Sequence, residues 1–450
     1  MRKRPIPEYS VLFSTCRFIM FFQKNLKRAI AREVSQICPY FDKITLPIGQ
    51  DSGKQKLYEF LSRKFKILAS TGSINQSSEG THLHILDGDF NVDSDIQIKL
   101  DALYKNANRS FRVAAVLYNP YLQWLYRITN ALGLTKANDT QNFVTQTVLE
   151  NFCKISGFEV VRISRFYFFP FHLLGIGTFI NRLLRITPIV NRLAIASIAY
   201  LRPVKPESEE KSISIIVAAR NEEGNIENIL RSIPSFTKDI EVIFVEGNST
   251  DHTWAKINEC IQMPEFAERF SMMAFQQPGK GKADAVRVGF HHATKDIVTI
   301  LDADLTMPAE DLPRYYEAYQ SGLADFVNGS RLVYPMEKDA MRFINHVGNI
   351  FFAKLLSVIL DIQISDSLCG TKMFSREDYY RIRQWNTDFG DFDPFGDYEM
   401  IFPASVLKLG IVDIPITYRA RTYGDTNISR FRDSIKLFKM CLIGFLRIKF

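Results

Sequence analysis

Apolar positions in this chain recur with two different periods. From residue 213 onward, short β-rich apolar runs alternate with segments of helical spacing. Residues 213–218, 241–245 and 297–301 predict strands, and 271–275 a weaker one. Between them, 224–233 carries Ile226, Ile229, Leu230 and Ile233 at helical spacing, and 252–261 and 282–293 read the same way. Strands alternating with helices predict a parallel α/β sheet, whose ligands bind beyond the carboxyl ends of its strands.

The first half has its own periodicity. Residues 25–37 and 141–155 read as helices, and 112–117 and 157–163 as strands. The stretch 202–212, RPVKPESEEKS, puts two prolines and a charge run between apolar segments, which is linker composition. The expected division is therefore a domain at 1–201, a linker at 202–212, a second α/β domain at 213–429 and a tail at 430–450. In the tail, Phe431, Ile435, Phe438, Leu442 and Phe445 recur at helical spacing beside Arg432, Lys436 and Lys439. That pattern suits a membrane interface and equally a helix packed on the preceding domain. No segment reads as a membrane span. The longest uncharged run, between Arg165 and Arg182, contains Pro170 and two glycines and falls short of about 20 apolar residues, so core is expected there. Arg17 interrupts the apolar run near the N-terminus and no small-residue cleavage site follows, so no signal peptide is expected.

Four polar clusters fall at the predicted strand ends. The first is Ala218-Ala-Arg-Asn-Glu-Glu223 and the second Glu246-Gly-Asn-Ser-Thr-Asp251. Glu246 can accept hydrogen bonds from a base or ribose, whereas Ser249 and Asp251 can equally cap the next helix. The third, Gly279-Lys-Gly-Lys-Ala-Asp284, opens a helix, where glycines and an amino terminus favour a phosphate and Lys280 and Lys282 add charge. The fourth is Leu301-Asp-Ala-Asp-Leu305. Carboxylates at i and i+2 beyond an apolar strand can face one hard cation, for which Mg²⁺ or Mn²⁺ is expected. Such a metal would bridge a donor diphosphate and neutralise the leaving group.

The segments SIIVAARNEEGNI, VIFVEGNSTDHTW, GKGKADAVRVGF, TILDADL, VNGSRL and YRARTYGDTNI, in that order, resemble glycosyltransferase family 2, of GT-A fold and akin to dolichyl-phosphate mannose synthases. The resemblance implies that Arg220, Asn221, Glu222 and Glu246 line a nucleotide pocket and that Lys280 approaches the donor phosphates. It implies Asp302 and Asp304 as the metal motif, with Asp304 the direct ligand. Ser330 and Arg331 would lie beside a donor or acceptor phosphate, and Arg421 would meet a phosphate. A lysine usual near the end of that last segment is Asn427 here, a departure that bears on a polyprenyl-phosphate acceptor. In FGDFDPFGDYEMIF, relatives place a carboxylate facing the acceptor. Inverting transfer needs a base opposite the leaving diphosphate, and Asp397 and Glu399 are the candidates. Two residues apart on a helix, they point in different directions, so one of them faces the sugar. Asp391 and Asp393 are expected to be helix caps. Asp366-Ser-Leu-Cys-Gly-Thr-Lys372 matches a segment that lies under the acceptor site in relatives.

In the first half, SFRVAAVLYNP and CKISGFEVVRI resemble the back half of class I S-adenosylmethionine-dependent methyltransferases. The glycine-rich cofactor loop of that fold should follow the first strand, where FDKITLPIGQDSG keeps only Gly49 and Gly53. Residues 44–85 are too few for the two intervening strands the fold needs. Asp87 and Asp89 are expected to be turn residues. The expected whole is a truncated methyltransferase-like α/β domain followed by a GT-A, nucleotide-diphospho-sugar transferase α/β domain. Its expected reaction moves a sugar from a nucleotide-sugar donor to a lipid-phosphate or glycan acceptor with inversion. The alternatives are a bifunctional enzyme that also methylates, and a non-catalytic N-terminal assembly module.

Composition narrows little further. Hydrophobic residues at 46% and charged residues at 23% exclude a disordered or fibrous chain. A net charge of +7 fits an anionic partner such as a nucleotide, a lipid phosphate or a membrane surface, and no nucleic acid is expected. Six scattered cysteines without a metal-type pair point to core packing in a reducing compartment. A cytoplasmic location follows, with a peripheral place at the inner face of the membrane.

Overall fold

The computed structural model describes residues 24–47, 52–70, 80–131, 142–170, 175–187, 190–335, 343–387, 393, 395–420, 423 and 430–449. The chain forms two compact units, one ending at Val204 and the other beginning at Lys205.

The first unit is built on a six-stranded sheet of order β2-β1-β3-β4-β6-β5. Its strands are β1 (Lys43–Pro47), β2 (Ile67–Ser70), β3 (His82–Asp87), β4 (Phe111–Tyr118), β5 (Phe158–Tyr167) and β6 (Ala196–Pro203). Its helices are α1 (24–35), α2 (Ser52–Ser62), α3 (Asp89–Val92), α4 (Ile96–Asn106), α5 (Gln123–Ala131), α6 (Gln146–Ile155) and α7 (Ile176–Ile186). The pairs β1–β2, β1–β3 and β3–β4 are parallel, whereas β6 runs antiparallel between β4 and β5. Leu86, Leu100, Phe111, Val113, Leu149 and Phe158 share one core over the sheet. Among the described residues, 44–85 hold a helix and one intervening strand, β2, where two were required. The expected helix 141–155 begins only at Gln146, because the Thr145 hydroxyl accepts from the Val148 amide and caps it there. Arg202 and Pro203, read as linker, are the end of β6, and Arg202 is buried and paired with Glu159 at 2.6 Å. Asp87 and Asp89 are not turn residues at the surface. Both are buried, Asp87 on Lys27 at 2.5 Å and Asp89 on Lys54 and Lys99 at 2.8 and 2.9 Å, since a carboxylate leaves water only for a charged partner.

The second unit has a seven-stranded sheet of order β13-β11-β12-β10-β7-β8-β9. Its strands are β7 (Ile213–Ala219), β8 (Ile240–Glu246), β9 (Ser271–Gln276), β10 (Ile297–Asp302), β11 (Phe326–Ser330), β12 (Lys372–Ser375) and β13 (Ile411–Pro415). Its helices are α8 (Ile226–Ser232), α9 (Thr253–Gln262), α10 (Pro264–Ala267), α11 (Lys282–His292), α12 (Leu312–Gln320), α13 (Phe343–Leu360), α14 (Arg376–Asn386), α15 (Tyr398–Val406) and α16 (Arg430–Lys449). Strands β7 to β10 fall within a residue or two of the expected runs. Register aligns Asp302 with Ala218, Ala219 with Glu246, and Glu246 with Gln276, so the polar clusters share one edge. β12 is antiparallel to both β10 and β11, which brings its first residue, Lys372, to that same edge.

Two helices depart from expectation. α13 is long and apolar enough to cross a membrane by length and composition. Lys354 interrupts its uncharged run, so run length alone passes over it. Only part of α13 is buried, with Phe352, Leu356 and Ile359 inward and Phe343, Ile344 and Phe351 exposed. The tail α16 packs on this unit with Leu437, Met440 and Cys441, and Gly444 lies against the Phe402 ring. Of the two readings of its apolar stripe, packing does not hold for Ile435, Phe438 and Leu442, which face outward.

Candidate functional site

Two loops lock together beyond β7 and β8. The Asn221 amide donates to Ser249 Oγ at 3.0 Å, and the Thr250 amide donates to Asn221 Oδ1 at 2.8 Å. The Glu222 amide donates to Thr253 Oγ1 at 2.9 Å, and Glu222 Oε2 accepts from Asn225. Ser249 therefore braces the neighbouring loop rather than capping α9, while Asp251 accepts from the Thr253 amide at the start of α9. Burial works against the Asp251 charge, but hydrogen bonds from Thr253 and the Glu223 amide outweigh it and lower its pKa. Glu246 is buried, accepting from the Ser249 amide at 2.5 Å and from Gln276 Nε2 at 3.2 Å. Arg220 stands exposed at the rim, next to Gly247, where a side chain would press on its Cβ.

Three non-glycine residues at this edge have left-handed backbone: Asn221 (φ 55), Asn248 (φ 57) and Leu305 (φ 50). Asparagine tolerates this conformation, but leucine adopts it at a cost of order 1–3 kcal/mol. The turn after β10 holds that strain while closing Leu305 N onto the Asp302 carbonyl at 3.2 Å.

The charged centre lies where α11, β10, β12 and α15 meet. The Lys282 ammonium sits on Asp302 Oδ1. Desolvation opposes the Lys282 charge, but Asp302 and Asp397 more than compensate and raise its pKa; the same pairing lowers that of Asp302. Asp304 Oδ1 accepts from the Thr306 amide and hydroxyl at 3.1 and 2.8 Å. Gly370 closes over this pair, and a Cβ there would strike Lys282 Nζ and the Asp302 carboxylate. Lys372 is wholly buried, bound to Asp397 at 2.5 Å and to the Cys369 carbonyl. Glu399 turns away to Arg287, with contacts of 2.5 and 3.0 Å. Asp393 caps α15 through the Tyr398 and Glu399 amides, and burial beside Asp397 raises its pKa to about 6. Next to this centre, Arg331 grips Asp366 through Nε and Nη2 at 2.7 and 2.9 Å and lies over the Tyr418 ring. Desolvation would raise Asp366, but Arg331 holds its carboxyl well below the usual range.

Residues 214–383 match Glycosyl transferase family 2. This chain carries a glycosyltransferase family 2 domain. Its relatives include the low-salt glycan biosynthesis hexosyltransferase of Haloferax volcanii, 29% identical over 238 residues, which are 52% of this chain and 54% of that protein. The dolichyl-phosphate hexose transferase of the same organism is 27% identical, over 52% of this chain and 96% of that protein. The dolichol-phosphate mannosyltransferase of Pyrococcus furiosus is 25% identical, over 48% and 59%. The chain thus spans little more than half the length of the first and third of these. Among solved structures, glucosyl-3-phosphoglycerate synthase from Mycobacterium tuberculosis aligns with a TM-score of 0.38 and 18% identity, over 52% of this chain and 80% of that one.

In the family 2 domain, Arg220, Asn221, Glu222, Glu246, Asp302 and Asp304 gather at one sheet edge. Lys280 is exposed in its loop, whereas Lys282, read only as added charge, reaches the aspartates. Arg331 spends its guanidinium on Asp366. Arg421, Asp391 and Asn427 lie outside the described residues. Asp397 and Glu399 do diverge, and only Asp397 joins the centre. Sequence reading gave no role to Lys372 or Arg287. Lys372 stood inside a quoted segment, but nothing local marks a strand lysine as buried.

Proposed function

We propose that the family 2 domain is a GT-A, inverting, metal-dependent hexosyltransferase acting from a nucleoside-diphosphate sugar onto a lipid-phosphate or glycan acceptor. The observation that carries this reading is the carboxylate pair Asp302 and Asp304 at the end of β10, faced by Lys282 and Asp397. The donor set fits a hard divalent cation, because both groups are carboxylates at one strand end and a cationic group already sits on Asp302. Asp302 and Asp304 would hold Mg²⁺ or Mn²⁺, with Asp304 the direct ligand. When bound, the ion supplies charge neutralisation at the donor diphosphate. Arg220, Asn221, Glu222 and Glu246 form the nucleotide wall, and Lys280 and Arg421 bring charge to the phosphates. Lys282 balances the charge of Asp302 and would lend its own charge to a donor phosphate. Asp397 is the candidate base, oriented by Lys372, while Glu399 serves α15 through Arg287. Arg331, held in place by Asp366, would lie beside a donor or acceptor phosphate. The dolichyl-phosphate relatives favour a lipid-phosphate acceptor. The outward stripe of α16 suits a peripheral contact with the cytoplasmic face of a membrane.

For the first unit, the reading is a degenerate methyltransferase-like scaffold without methyl transfer. The reversed β6 between β4 and β5 supports the likeness, and the single strand that the described residues hold between β1 and β3 in chain order supports the degeneracy. The decisive experiment incubates the full chain with Mg²⁺ or Mn²⁺ and a panel of nucleotide sugars. Release of one nucleoside diphosphate, abolished by chelation, is expected; release from none of them, or release indifferent to chelator, overturns the reading.

A further inference from the structure

One end of the first unit is unusual in both shape and charge. Here β4 and β5 finish and β6 begins, since Tyr118 and Tyr167 both pair with Ala196. Two excursions cap this end. One is the turn Pro120–Leu122 with α5; the other is α7 with the turn Val190–Leu193. They are tied together: Asn119 Nδ2 donates to the carbonyls of Arg192 and Ala194 at 2.8 and 2.7 Å, and the Tyr126 hydroxyl donates to the Ile195 carbonyl at 3.0 Å.

The cap leaves large apolar side chains in water. Trp124 and Ile128 project from α5, Ile176, Phe179 and Leu183 from α7, and Leu193 from the turn, each about half exposed. Their spacings, i to i+4 on α5 and i, i+3, i+7 on α7, make one stripe per helix. A single exposed leucine is ordinary, but two aromatic-bearing stripes on tied elements are not. The charges are one-sided. Residues 120–131 and 175–195 contain Arg127, Arg182, Arg185 and Arg192, no lysine, and no aspartate or glutamate. Arg185 is turned inward to Glu33, whereas Arg127, Arg182 and Arg192 are exposed.

We propose that this cap is a lipid-docking surface for a bilayer with anionic headgroups. Aromatic and aliphatic side chains at this exposure fit the headgroup–acyl boundary, and arginines extend from an apolar stem to phosphate level. The absence of acidic residues is what an anionic surface requires. This contact lies outside the donor chemistry of the second unit and uses no residue of the α16 stripe.

Flotation of the full chain with phosphatidylcholine vesicles, with and without phosphatidylglycerol, tests it. Binding is expected only with phosphatidylglycerol. Trp124→Asn with Phe179→Asn should weaken it about tenfold or more, and Arg127→Gln with Arg192→Gln should remove its salt sensitivity. Donor hydrolysis in solution should be unchanged in both. In the unmodified protein, brominated phosphatidylglycerol should quench tryptophan fluorescence, and Trp124→Phe should abolish most of that quenching. The proposal is overturned if the protein fails to float, if both double variants float normally, or if quenching survives Trp124→Phe. It is equally overturned if only Ile435→Asn with Phe438→Asn, in the tail, releases the protein. A dimer in the unmodified protein that Trp124→Asn with Phe179→Asn dissociates, flotation being kept, would overturn the proposal and reassign the cap to a second copy of this chain.

Discussion

At the scale of single residues, the charged centre makes each carboxylate separately testable. Asp304 has Thr306 as its local brace and stands at the strand end where a cation would be held. Asp304→Asn should abolish transfer and weaken metal-dependent nucleotide binding with an unchanged circular dichroism spectrum. Full turnover in this variant would exclude the metal role. Asp397 and Glu399 are two residues apart yet serve different partners, Lys372 and Arg287. Asp397→Asn should lower turnover by about 10²–10⁴-fold at near-normal donor affinity, the usual contribution of a general base. Glu399→Gln should act mainly through stability, since it removes the carboxylate that holds Arg287 of α11 against α15. Equal, small losses of turnover in both variants would place the base elsewhere.

At the scale of elements, α11 illustrates how packing overrules propensity. Gly289 lies within this helix, where alanine would ordinarily gain about 1 kcal/mol. A Cβ there, however, would lie 2.4 Å from Ile216 Cγ2, in the buried face of β7. Gly289→Ala should therefore destabilise the protein by about 1–3 kcal/mol, read by chemical denaturation. It should also lower turnover, because α11 carries Lys282 to the aspartates. The first unit holds a different constraint. Thr45 Oγ1 lies 2.8 Å from His82 Nε2 and 2.7 Å from His84 Nδ1, and one hydroxyl proton serves only one of them as donor. Burial pushes His82 down to about 4 and His84 to about 3. Unfolded histidines take up protons near pH 6.5, so stability present above that pH is lost as pH falls toward 4. Amide protection factors in β3, corrected for the slower intrinsic exchange at low pH, should therefore fall between pH 7 and pH 5, with a loss on the order of a few kcal/mol, and His84→Gln should flatten that slope. A pH-independent rate of opening in the unmodified protein would refute the buried neutral pair.

For the whole molecule, the two units carry separate expectations. A chain starting at Lys205 should still hydrolyse donor slowly, because every residue assigned to donor chemistry lies in the second unit. Calorimetric titration of the full chain with S-adenosylmethionine should show no saturable binding. A productive pocket needs a backbone approach that glycines permit, and among the described residues β2 is the one strand between β1 and β3 in chain order. Micromolar binding would reverse that reading of the first unit.

The sequence by itself determined four of the seven strands of the second sheet, β7 to β10, because apolar β-branched runs and helical spacing are local signals that burial later satisfies; the short β11, β12 and β13 carry no such run. It also determined that Asp302, Asp304, Glu246 and the Arg220 loop fall at one edge, since alternation of strand and helix makes all parallel strands end there. Tertiary structure decided who pairs with whom. β12 enters antiparallel and delivers Lys372 to Asp397, α11 turns Lys282 rather than Lys280 onto Asp302, and Asp366 claims Arg331. It likewise buried Asp87 and Asp89 against lysines from three separate helices, and turned the named stripe of α16 outward while Gly444 admitted Phe402. Such choices depend on register and close approach between segments far apart in the chain, and no local pattern of residues encodes a distance between them.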